Sequence, residues 1–136
     1  MSTLPPPRFD ITEDQIDLVV RRFYERVRAH PVLGPVFARH IHDWPVHEEK
    51  IARFWKGAIL FQPGFDGSPM MAHRRAGDVR PDHFPDWLGA FDATLHETLT
   101  PDQAAAWSAL AHRIGMGLRQ GVADIGATPG TVPKLR

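Results

Sequence analysis

The chain has 136 residues, 43% of them hydrophobic and 24% charged, with 16 basic and 16 acidic side chains and a formal net charge of zero. That length and composition suit one domain with its own core, and a balanced charge without a Lys/Arg block argues against nucleic acid or an anionic membrane as the main partner. No cysteine occurs, which excludes disulfides, thiolate metal sites, thiol catalysis and haem attached through a C-x-x-C-H motif. No apolar run approaches the ~18 residues of a membrane-spanning helix, and MSTLPPPRFD lacks the charged-then-apolar order of a secretory signal. The expected compartment is therefore a reducing cytoplasm.

Residues 1–10, with Pro5, Pro6 and Pro7, read as an irregular leader to a domain spanning 11–126. Thr12 and Gln15 have capping-box spacing, and Ile16, Val19, Val20, Phe23, Tyr24 and Val27 then recur at helical intervals, which predicts a helix over 12–29. His30-Pro31 ends it, because a residue before proline is pushed out of the α region. Val32, Leu33, Val36 and Phe37, split by Gly34-Pro35, fit a turn or two of tight helix. Asp43 is a candidate cap for the next helix, with Pro45 in its first turn. His47, Ile51, Phe54, Trp55, Ala58 and Ile59 share one face of that helix, which stops before Gln62-Pro63-Gly64. Ser68-Pro69 predicts the start of a short helix carrying Met70 and His73, closed by Gly77. Phe84, Trp87, Leu88, Phe91 and Leu95 mark another stripe over about 82–99. Thr100-Pro101-Asp102-Gln103 is a second capping box, opening a long helix whose stripe holds Trp107, Leu110, Ala111, Ile114, Leu118 and Val122. Residues 127–136 read as a flexible tail. No period-two pattern persists, so the expected class is all-α.

Polar groups on inward stripes need a reason to be there. Tyr24, His47 and Trp87 lie on the inward stripes of three different helices, and each carries an O–H or N–H that wants a partner when buried. Taken singly, each is a common core residue, and His73 in a polar loop reads as a surface histidine. Taken together, three such groups can converge on one cavity, with His73 as a fourth on a short helix. A histidine can ligate iron through one ring nitrogen while its other N–H is held by a carbonyl or carboxylate. A rival metal reading uses His40, His42 and His47 near Asp43. His42 and His47 straddle a helix start and no H-E-x-x-H motif occurs, so this grouping reads as incidental. No G-x-S-x-G motif supports a nucleophilic hydrolase.

Phe23-Tyr24-Glu25-Arg26-Val27, then Leu33-Gly34-Pro35-Val36-Phe37, then His47 ahead of Phe54-Trp55, resemble the group III truncated haemoglobins. Phe65-Asp66-Gly67-Ser68-Pro69 before Met71-Ala72-His73, and His83-Phe84-Pro85-Asp86-Trp87-Leu88 after it, agree in order and spacing. His73 follows His47 by 26 positions. The similarity runs from about Phe9 to Ile125, and the lack of a Gly-Gly pair is usual in group III. The tail after Ile125 does not align, and residues 74–80 carry more arginine than the family pattern suggests.

The resemblance implies a globin-like, truncated two-over-two helical sandwich around haem b. It makes His73 the proximal iron ligand and places Tyr24, His47 and Trp87 on the distal side, with His47 a second candidate iron ligand or a gate. Lys50 is the first candidate partner for a haem propionate, with Arg53 and Arg75 weaker ones. Phe37, Ile51, Phe54, Trp55, Phe84, Phe91, Ile114 and Leu118 are expected to supply apolar contacts to the porphyrin or its surrounding core. Such an iron binds O₂, NO, CO, cyanide or a peroxide. Two donors aimed at bound dioxygen, each worth about 1–3 kcal/mol, would slow its release roughly a hundredfold. Slow release suits redox chemistry, such as NO dioxygenation or peroxide reduction with an external electron donor, better than oxygen transport or storage. A helical interaction protein without haem is the remote alternative.

Overall fold

A computed structural model describes residues 5–65 and 80–127, with side chains of the last helix followed as far as Gly121. Among these residues the chain forms five helices and no strand: α1 (Glu13–Ala29), α2 (Leu33–Ala38), α3 (Trp44–Leu60), α4 (His83–Thr98) and α5 (Pro101–Ala127). The all-α class is as the sequence predicts. The short helix expected at Met70–Gly77, with His73 and Arg75, lies outside the described residues, as do the Val122 side chain and residues 128–136.

Local chemistry sets most of the helix starts. The amide of Gln15 donates to Thr12 Oγ1 at 3.1 Å and the amide of Thr12 donates to Gln15 Oε1 at 3.0 Å, a reciprocal capping box. Thr100 and Gln103 repeat it at 3.3 Å in each direction. Asp43 Oδ1 accepts from the amide of Val46 at 3.2 Å, with Pro45 in the first turn. Such caps satisfy amides that a helix start leaves without intrahelical partners, each worth about 1 kcal/mol. The first turn of α1 is acidic (Glu13, Asp14) and its last basic (Arg26, Arg28), which complements the helix dipole.

The segment after Pro31 starts on a cap to which the sequence reading assigns no residue. It is a six-residue α-helix, and its first amides are capped by a histidine: His30 Nδ1 accepts from Val32 and Leu33 at 3.0 and 3.1 Å. His30 thus ends α1 and also starts α2. Gly34 lets the two helices meet closely, since a Cβ there would lie 2.9 Å from the Arg28 carbonyl oxygen and 3.2 Å from that of Val27.

α1 packs on α2, α3 and α4, while α4 packs along α5. Only Leu99 and Thr100 join α4 to α5, a connection short enough to make them antiparallel neighbours. Ion pairs fasten α1 to both sides: Lys56 Nζ reaches Asp17 at 3.0 Å and Glu13 at 3.6 Å, and Arg26 bonds Glu97 and Thr94 on α4. The buried centre holds Ile16, Val19, Val20, Phe23, Val27, Leu33, Ile59, Phe91, Leu95 and Trp107. Each large apolar side chain removed from water there contributes roughly 1.5–3 kcal/mol. The indole N–H of Trp107 has no acceptor among the described residues; the rings of Phe9, Trp55 and Phe91 surround it, with centroids 5.4–6.4 Å away.

Residues 5–10 are non-helical but tied down. The amide of Arg8 donates to Ile59 O and its Nε to Ala58 O, while its guanidinium covers the Phe61 ring at 5.2 Å. These contacts hold the end of α3, where Phe61 adopts a left-handed conformation (φ 61°, ψ 28°) that non-glycine residues seldom take. No helix among the described residues is long and apolar enough to cross a membrane.

Candidate ligand pocket

Tyr24 enters the interior from the middle of α1, on the stripe that also buries Phe23 and Val27. It is 3% exposed, and the rings of Phe23, Phe37 and Trp44 stand 5.0, 6.0 and 6.0 Å from its own. Its one polar neighbour within hydrogen-bond distance among the described residues comes from α3. His47 Nε2 lies 3.1 Å from the Tyr24 hydroxyl, with the two rings edge to face at 5.1 Å.

Burial, helped by the nearby Glu48 carboxylate, pushes the Tyr24 hydroxyl well above its ordinary pKa, so it remains a phenol. Burial, helped by the Lys50 charge, lowers the His47 pKa to about 4, so its imidazole is neutral near pH 7. A neutral imidazole has one donor and one acceptor nitrogen. The bond therefore runs in one of two directions. With an acceptor Nε2, Tyr24 spends its proton on His47. With a donor Nε2, the phenol oxygen accepts from His47 and its own O–H is left to donate to a third group, strengthened by the bond behind it.

Trp87 sits on α4, half-buried. Its ring stacks on Phe91 at 5.3 Å with planes 2° apart and meets Phe23 edge-on at 5.5 Å. Phe23 therefore stands between Trp87 and Tyr24, and among the described residues the Trp87 indole makes ring contacts and no hydrogen bond. The structure joins Tyr24 to His47 directly and places Trp87 one ring away.

The other candidates divide by burial. Phe37, Ile51, Phe54, Ile114 and Leu118 are half-buried, whereas Trp55, Phe84 and Phe91 are sealed in the core at 2%, 5% and 1% exposure. Trp55 stacks on Phe91 at 5.5 Å and bridges α3 to α4 by its side chain. The backbones of these elements stay apart: no Cα of α3 comes within 8 Å of one on α4 or α5. Lys50 is exposed, Arg53 leans toward Glu49 at 3.9 Å, and His40 and His42 are exposed while His47 turns inward. Among the described residues no three His, Cys, Asp or Glu side chains group to hold a metal ion.

Three residues beside the pair carried no site reading in the sequence. Trp44 packs on Tyr24, the Arg28 guanidinium lies 4.7 Å over the Trp44 ring, and Glu48 Oε2 accepts from Arg28 Nη2 at 2.6 Å. Their positions give a signal in retrospect. Arg28 is one turn beyond Tyr24, and Glu48 adjoins His47.

No family model matches the chain. Group 3 truncated hemoglobin ctb of Campylobacter jejuni is 31% identical over 90 residues, which are 63% of this chain and 71% of that protein. The crystal structure of group III truncated hemoglobin from Campylobacter jejuni superposes with a TM-score of 0.79 at 26% identity, covering 83% of this chain and 92% of that one. The chain belongs to the group III truncated haemoglobins. A haemoglobin family implies haem and small-ligand binding, and the residues of this globin fit a flat apolar cofactor. Ile51 and Phe54 on α3 and Ile114 and Leu118 on α5 keep apolar surface that the described protein leaves half-covered, on helices whose backbones stay apart. A polar pair, Tyr24 and His47, joins α1 to α3, the helix that also carries Ile51 and Phe54.

Proposed function

We propose that this globin binds haem b through His73 and presents Tyr24, His47 and Trp87 to a diatomic gas or peroxide on the opposite side. The observation that supports it best is the 3.1 Å Tyr24–His47 contact, a hydrogen-bonding pair inside an aromatic cage. Bound haem would supply a redox-active iron able to take up a small ligand. The protein's own contributions are positional. Tyr24 is fixed by the rings of Phe23, Phe37 and Trp44, and His47 at its back orients the phenol. Ile51, Phe54, Ile114, Leu118 and Phe37 supply apolar faces that exclude water. On this reading Trp87, packed against Phe91 and Phe23, offers a second N–H to the same ligand.

A ligand that gains negative charge is favoured by such donors, and its release is slowed. That favours turnover of the ligand with electrons from an external donor, as in NO dioxygenation or peroxide reduction, over oxygen delivery. His47 is a second candidate iron ligand or a gate, and Lys50 is a candidate propionate partner because it is exposed one turn beyond His47 on the helix that carries Ile51 and Phe54.

The test is absorption spectroscopy of the purified protein followed by NO consumption and oxygen-release kinetics in the presence of a reductant. A Soret band, slow oxygen release and catalytic NO loss are expected. Fast oxygen release without NO turnover would return the reading to a carrier, and absence of any Soret band after haem addition would end it.

A further inference from the structure

The Arg28, Trp44 and Glu48 cluster lies outside the pair assigned to the ligand, yet it touches that pair at both ends. Arg28 projects from the last turn of α1, one turn beyond Tyr24, with its side chain 43% exposed. Trp44 and Glu48 belong to the first turns of α3 and flank His47 in sequence. The Arg28 guanidinium meets both: its Cζ lies 4.7 Å over the Trp44 ring and its Nη2 donates to Glu48 Oε2 at 2.6 Å. The Glu48 side chain is only 17% exposed, so its charge is drawn out of water and depends on Arg28 for a partner. Trp44 in turn packs its ring 6.0 Å from that of Tyr24.

Surface ion pairs commonly add little. This one differs in two respects: one carboxylate is largely buried, and the cation also stacks on an indole, a combination that suits arginine and not lysine. Nearby, the aliphatic Val46 is 61% exposed, so the apolar hold on this turn of α3 comes through the Trp44 ring, which Arg28 covers. The polar latch reinforces that hold. Lifting the turn would carry His47 away from the Tyr24 hydroxyl and open the half-buried edge of the cage to solvent.

We propose that Arg28 is a positioning residue that clamps the first turns of α3 onto α1 through Trp44 and Glu48, keeps His47 against Tyr24, and thereby slows entry of small ligands on that side. The proposal rests on the reading of Tyr24 and His47 as groups facing the ligand. It names the device that sets their closed state.

Tyr24 is the chain's single tyrosine, so incorporation of 3-fluorotyrosine labels the Tyr24 environment alone. The experiment records that ¹⁹F resonance in the ferrous CO complex, and cyanide association with the ferric protein by stopped flow, for wild type, Arg28→Ala, Arg28→Lys and Glu48→Gln. In Arg28→Ala the resonance is expected to move toward its solvent-exposed position and cyanide to enter about tenfold faster. Glu48→Gln, nearly isosteric and safe for the fold, moves both readouts in the same direction. Arg28→Lys keeps a cation for Glu48 but no flat face for Trp44, and falls between wild type and Arg28→Ala. Either readout remaining at its wild-type value in both Arg28→Ala and Glu48→Gln, with helix content intact, overturns the proposal. Should the wild type take up no haem, the functional reading fails by itself, while the ¹⁹F line of the haem-free protein still tests the latch.

Discussion

Replacing Tyr24 by Phe deletes one hydroxyl and leaves the packing volume nearly unchanged, so its effects separate chemistry from folding. The ring is 3% exposed and touches Phe23, Phe37 and Trp44, contacts that Phe retains. His47 Nε2 loses its partner, but the imidazole is half-buried and water replaces the bond, so the folding cost is about 1 kcal/mol or less. At the ligand the loss is larger. A hydrogen bond to a group bearing charge contributes roughly 1.5–3 kcal/mol, which converts to dioxygen release about ten- to a hundredfold faster. Carbon monoxide draws little charge, so its release should change by less than about threefold, corresponding to ~0.7 kcal/mol. Ligand replacement in a stopped-flow spectrometer measures both rates on the same samples. Unchanged dioxygen release would remove Tyr24 from the site. Equal acceleration of both ligands would show that the substitution loosened the pocket and that no specific hydrogen bond was lost.

His73→Ala is expected to abolish stable haem retention; gel filtration followed by the Soret-to-280 nm ratio reads it, and a normal five-coordinate ferrous spectrum with full retention would contradict the assignment. Gly34→Ala places a Cβ 2.9 Å from the Arg28 carbonyl oxygen, so the α1–α2 contact must shift, at about 1–3 kcal/mol. Urea unfolding followed by circular dichroism should show a lower midpoint with an unchanged slope. His47 resists protonation in the folded chain down to about pH 4, first because it is buried and second because of Lys50. The unfolded chain takes up that proton near pH 6.5, so stability is fully present above pH 6.5 and declines as pH falls toward 4. The full shift corresponds to about 3 kcal/mol, and solvent access to the half-buried ring reduces it to roughly 1–2. The pH dependence of unfolding in haem-free wild type should thus be steeper over this window than in His47→Gln; parallel curves would mean that His47 is solvated as freely as in the unfolded chain.

Much of this fold is written in local sequence. Thr12 with Gln15, Asp43 with Pro45, and Thr100 with Gln103 start their helices by chemistry confined to four residues, and the structure forms each of those caps. The apolar stripe of α1 buries as its period indicates, because Ile16, Val19, Val20, Phe23 and Val27 recur on one face. What escaped depends on contacts between distant segments. His30 reads as a chain stop before Pro31, and its role as cap of α2 appears only when the turn is built. Arg8 lies in a proline-rich stretch without periodicity, yet it fastens the end of α3 some fifty residues away. Trp55 and Phe91 share the stripes of their helices with half-buried neighbours, and spacing cannot separate the residues that seal the core from those that line an opening. His73 owes its assignment to the family resemblance, since a histidine in a polar loop has no local signature of a ligand.

Stability alone does not account for the Tyr24–His47 pair. Tyr24 was conspicuous as the polar member of an otherwise apolar stripe, and His47 as the imidazole on the face that buries Trp55 and Ile59. Nothing in either helix alone predicts that they meet, because their pairing is set by how α1 crosses α3, a contact that the Lys56 ion pairs fasten. Once they meet, each satisfies the other at 3.1 Å, and that mutual bond offsets much of the cost of taking both groups from water. It does not return a surplus. A purely apolar pair of similar volume would pack there without any desolvation penalty. Local rules of this kind tend to be broken at functional positions, and in this globin the break falls among the rings beside the half-covered apolar faces of α3, which supports the reading proposed for the pair.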